Sequence, residues 1–67
     1  MKPTAKDKAD VKELSRLHQE GVSHRAQGRL KHFQSCLCRW EHLLANLLAR
    51  MDLSDVQEIE MINMRER

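Results

Sequence analysis

At 67 residues, with 12 Lys+Arg against 10 Asp+Glu and a formal net charge of +2, the chain has room for one core at most. Ordering it at ~1.5 kcal/mol per residue costs about 100 kcal/mol, which about 4,000 Å² of apolar burial at ~25 cal/mol/Å² only just offsets. Folded monomers of this mass expose about 4,400 Å², so about 4,000 Å² of apolar burial is near the most the chain can supply, and association with itself or with a partner is the default expectation.

Composition narrows the fold class. Leu, Ile, Val and Phe number 15 of 67, just above the level at which a chain stays disordered. There is no Tyr, one Phe and one Trp, with only two Gly and one Pro; Leu, Ala, Glu, Lys, Arg, Gln and Met dominate, which is a helical alphabet. The first twenty residues are polar, and the richest apolar stretch, Leu43 to Ala49, is interrupted by Asn46. This predicts neither a signal peptide nor a membrane span, and with them a cytoplasmic location. Cys36 and Cys38 stand two apart, where helical side chains diverge, so they are expected as reduced thiols.

In chain order, Thr4 with Asp7 three residues on forms a carboxylate version of the capping box and starts a first helix over about residues 5–20. Val11, Leu14 and Leu17, flanked by His18, give it a narrow apolar stripe. Lys6 with Asp10, and Arg16 with Glu20, are i,i+4 pairs. Gly21 is the candidate left-handed stop, after which Ser23 can cap the next helix.

The second helix runs to about Met51 from a start at His24 or, if Gly28 marks a frayed or looped segment, at Arg29. Leu30, Phe33, Leu37, Trp40, Leu44, Leu47 and Met51 alternate at spacings of three and four, a heptad seam of about 32 Å. Cys36, Leu43 and Leu48 widen it beyond a two-stranded coiled coil, so this helix wants more than one neighbour.

Asp52 as N-cap, Asp55 three residues later and Met51 placed to staple onto Val56 open a third helix over about 53–65. Asp52, Asp55, Glu58 and Glu60 make its start acidic, whereas residues 24–39 carry Arg25, Arg29, Lys31 and Arg39 without an acid. If the third helix folds back along the second, Glu60 comes near Arg39.

Four chemistries compete with plainer uses of the same residues. Catalysis needs a nucleophile, a base and an orienting group around a pocket. Such a small helical chain without Gly-rich loops is not expected to enclose a substrate, and no enzyme is expected. His32 with Cys36, and Cys38 with His42, have metal-ligand spacing, but the two pairs lie about 160° apart on one helix, so neither metal nor cofactor is expected. Nucleic-acid binding would use Arg25, Arg29, Lys31 and Arg39, four cations spread round the helix with no pair of aromatics to stack bases. The methionines suit an adaptable docking surface, although such residues more often fill a core. A membrane surface is disfavoured because the second helix mixes acids and bases.

These readings converge on an all-α helical hairpin of two principal helices with a short third helix, completed by self-association or a protein partner. Its expected function is protein binding through the seam Leu30, Phe33, Leu37, Trp40, Leu44, Leu47 and Met51, as an adaptor, inhibitor or chaperone-like regulator. The alternative is a small nucleic-acid-binding regulator that uses Arg25, Arg29, Lys31 and Arg39.

Overall fold

The computed structural model describes residues 2–66 and contains three helices, α1 (Ala5–Ala26), α2 (Leu30–Leu48) and α3 (Leu53–Arg65). Two long antiparallel helices form a packed hairpin, and the short third helix lies against it.

Local chemistry starts α1. The Asp7 N–H donates to Thr4 Oγ1 at 3.1 Å, and the Thr4 N–H donates back to Asp7 Oδ2 at 3.2 Å, so two otherwise orphaned donors are satisfied reciprocally. Val11, Leu14, Leu17 and Gly21 then fall on one buried face. The helix does not stop at Gly21. It continues for five residues to Ala26, and the left-handed position is Gly28, at φ +75°. There the Arg29 N–H reaches the His24 carbonyl at 2.8 Å and the Gly28 N–H reaches the Arg25 carbonyl at 3.1 Å, the two bonds of a Schellman cap. Gly21 serves the packing instead. A Cβ placed on it would stand 3.6 Å from Cys36 Cβ and 3.8 Å from Phe33 Cδ1, ordinary van der Waals contact, so α2 lies against α1 here with room for a methyl group and little more.

Along α2 the residues turned toward α1 are Cys36 and Leu47, with Phe33, Trp40, Leu43 and Leu44 half-buried beside them. The helix ends at Leu48, short of the expected Met51, because the chain must reverse within Ala49–Asp52 for α3 to reach the core. Arg50 fixes that corner. Its guanidinium forks onto Asp7 Oδ1 at 3.1 Å and Asp10 Oδ2 at 3.0 Å, two charge-assisted bonds from one planar group. Asp10 is therefore held by Arg50 and not by Lys6, and no Lys6–Asp10 ion pair forms among the described residues. Arg16 does pair with Glu20, and also with Glu13.

The Asp55 carboxylate accepts the Asp52 N–H at 3.1 Å at the start of α3. Val56 and Ile59 are buried and join Val11, Leu14 and Leu47 in one core, with Trp40, Leu43, Leu44 and Met51 packed around them. The expected return of this helix along α2 does not occur. Its backbone runs along α1, where Asn63 donates to the Lys8 carbonyl at 3.0 Å and Lys8 pairs with Glu66 at 3.0 Å, and it meets α2 through side chains in the shared core around Leu47. Glu60 consequently makes no pair with Arg39. The reason lies in the apolar faces: Val56 and Ile59 find Val11 and Leu14 on α1, and burying that surface outweighs an exposed ion pair worth a few tenths of a kcal/mol.

Because α2 and α3 each run along α1 and meet each other only around the Leu47 core, the molecule is a slab of 39 × 27 × 17 Å. Its radius of gyration, 12.7 Å, exceeds the ~11 Å of a compact chain of this length.

Candidate docking groove

The slab carries an apolar groove along the line where α1 and α2 meet. One section, about 320 Å³, is walled by Leu17, Val22, Phe33, Leu37 and Trp40, with Gly21 and Cys36 among the lining residues and Arg25 beside it. The next, about 510 Å³, passes between Trp40, Leu44, Leu53 and Val56, with Glu60 on its edge. His18 and Trp40 line both sections, so the two lie side by side along one face. The groove exists because the apolar stripe of α2 is wider than the strip that α1 covers, and because α3 sits on α1 without closing over α2.

The seven seam residues separate accordingly. Leu47 is wholly buried at 0% exposure and belongs to the core. Phe33, Trp40, Leu44 and Met51 are half-buried. Leu37 is 39% exposed on the groove wall, and Leu30 is 62% exposed in the first turn of α2. Val22, at 56%, and Leu53, at 54%, also expose apolar surface along the groove. Sequence reasoning passed over both. Val22 stands just beyond the glycine expected to stop the helix, and Leu53 comes directly after an N-cap at the first helical position, where side chains are usually solvated. The seam alone would not have found them; the apolar character of Val22 beside Leu17 and His18 on an unbroken α1 would have.

The four cations lie differently. Arg25 sits 5.8 Å from the centre of the Phe33 ring, within cation–π range. Arg29 precedes α2 without giving a side-chain cap. Lys31 and Arg39 are exposed on α2, and Arg39 is near enough to Glu13 to assist the Arg16 hydrogen bond that holds the Glu13 carboxyl below its usual range. None of the four enters an ion pair among the described residues. Beside them the His24 and His32 rings stack with centroids 5.1 Å apart, and His24 Nδ1 is buried without a hydrogen-bond partner.

Both cysteines are free thiols, Cys36 buried and Cys38 exposed. The spacing pairs do not assemble: Cys36 faces α1, His32 stacks on His24, and Cys38 with His42 borders a shallow depression elsewhere on α2. Among the described residues no three of His, Cys, Asp and Glu gather as a metal site, and no helix is long and apolar enough to cross a membrane.

No family model, no curated protein and no solved structure matches this chain.

Proposed function

We propose that the chain is a small protein-binding module, an adaptor, inhibitor or chaperone-like regulator that takes an apolar partner surface into the groove between α1 and α2. The observation that carries this reading is the apolar surface left along the groove. Val22, Leu37 and Leu53 remain exposed on its walls although the same chain buries Leu47 and Val56 almost completely. Contiguous apolar surface rimmed by charge is costly to leave in water and marks interaction sites in soluble proteins. Trp40, which lines both sections of the groove, is a residue type enriched at binding hot spots. The two free thiols fit a reducing compartment such as the cytoplasm.

A second reading, nucleic-acid binding, is favoured by the cations near the hairpin turn, Arg25, Arg29 and Lys31, which no acid neutralises among the described residues. Capture experiments separate the two. A tagged chain is expressed beside an untagged copy, and bound material is compared at low and high salt, with and without nuclease. Apolar docking predicts capture that resists salt and nuclease and is lost with Leu37→Lys. Loss of capture to salt, nuclease or Arg29→Glu with Lys31→Glu, while Leu37→Lys still binds, would replace it with the nucleic-acid reading, because phosphate contacts weaken steeply with ionic strength.

A further inference from the structure

We propose that the occupant of the groove is a second copy of this chain, laid antiparallel across a two-fold axis that passes near His18 and Trp40. The inference rests on the protein-binding reading above and adds the partner and its register.

Area speaks first. The folded chain exposes 5161 Å², whereas a compact monomer of its mass exposes about 4,400 Å². The surplus of about 750 Å² measures how far the open slab departs from a compact monomer, and a second copy laid on the groove would reduce it. Shape agrees. The slab is 39 Å long and 17 Å thick, and its groove leaves one face of the α1–α2 layer uncovered. Two slabs laid groove to groove cover that face, with Val22, Leu37, Trp40, Leu44 and Leu53 of each copy facing those of the other.

Charge then selects the orientation. Arg25 borders one section of the groove and Glu60 the other. Neither is in an ion pair within the chain among the described residues. A parallel overlay would set Arg25 against Arg25 and Glu60 against Glu60. The antiparallel two-fold sets each Arg25 against a partner Glu60, twice per dimer, and the same patch meets itself, so assembly closes at two copies instead of growing into a filament. At the rim of an interface such pairs add little affinity but fix register.

Sedimentation equilibrium of the full chain, at about 1 to 100 μM, is the test. The expected mass is twice 7.9 kDa, with Leu37→Lys reduced to the single-chain mass while its circular dichroism stays helical. Arg25→Glu and Glu60→Arg should each weaken the dimer by about tenfold or more, since each replaces two attractive contacts with two repulsive ones. Mixing those two variants, or combining both changes in one chain, restores opposite charges at both contacts and should restore the dimer. This restoration also separates lost association from lost folding. A wild-type chain at 7.9 kDa throughout, a dimer indifferent to Leu37→Lys, or charge reversals that mixing does not rescue would each overturn the proposal. A monomer that still captures another protein, in a salt-resistant and Leu37-dependent way, removes only the second copy as occupant. A monomer that captures nothing removes the protein-binding reading as well.

Discussion

The two glycines should respond to alanine in opposite directions. Gly21 lies in the interior of α1 with an ordinary helical backbone, and a Cβ there meets its nearest neighbours at 3.6 and 3.8 Å, normal van der Waals contact. Gly21→Ala therefore gains the helix preference of alanine over glycine, about 1 kcal/mol, and adds a contact without forcing a shift. Gly28 has open space around it but sits at φ +75°. Gly28→Ala meets no neighbour, yet it must hold a left-handed conformation that costs an L-residue ~1–2 kcal/mol. For 67 residues the unfolding entropy near the midpoint is about 140 cal/mol/K, so 1 kcal/mol corresponds to about 7 °C. Thermal melts monitored by circular dichroism, at one fixed chain concentration, should thus put Gly21→Ala about 7 °C above wild type and Gly28→Ala about 7–14 °C below it. Gly21→Leu supplies the counter-check. Its bulk would press on Phe33 and Cys36 and should destabilise by about 1–3 kcal/mol. A fall in Tm for Gly21→Ala together with no change for Gly28→Ala would mean that the helix breaks at Gly21 and that this packing of α1 on α2 is wrong.

Three further outcomes rest on the same packing. Leu47→Ala empties the most enclosed site of the core and should cost about 2–5 kcal/mol, enough in so small a chain to remove most helicity at room temperature; a wild-type melt would refute the core assignment. Cys38 should react with a thiol reagent in the native chain while Cys36 waits for denaturant, and simultaneous labelling of both would show that the α1–α2 contact opens freely. The Thr4 N–H that donates to Asp7, aided by Arg50, holds the Asp7 carboxyl below its usual range. Its folded pKa is thus lower than its unfolded one, so the stability it contributes is complete above the unfolded value and is lost as pH falls through the folded one. Stability should decline below about pH 4, and Asp7→Asn should flatten that decline; an unchanged acid limb would remove Asp7 from the account.

Association and folding depend on different leucines of the seam. Leu37 stands on the groove wall and Leu47 in the core, so charge at position 37 should break association while leaving the helices in place, whereas cavity formation at position 47 should remove the helices and association with them. Two leucines that look alike in a heptad thus carry separate roles, and comparing mass with helicity distinguishes them.

The chain by itself determines the features that depend on residues within a turn of one another. The helical alphabet, the Thr4–Asp7 box, the buried stripe of Val11, Leu14 and Leu17, and the Asp55 carboxylate returning to the Asp52 N–H all arise from period and capping, because each involves contacts only three or four residues away. Tertiary structure decided the rest. Either glycine has the freedom to take a left-handed turn, and the choice fell to Gly28 because Gly21 is where Cys36 and Phe33 approach the backbone of α1. Asp10 has a lysine one turn away, yet it is held by Arg50, forty residues on, whose planar fork also satisfies Asp7. The acidic start of α3 suggested α2 as its neighbour, but Val56 and Ile59 could bury more apolar surface on α1. The heptad named a stripe without naming which side of it α1 would cover. That depended on the placement of three helices, and it is why Leu47 is core while Leu37 faces an open groove.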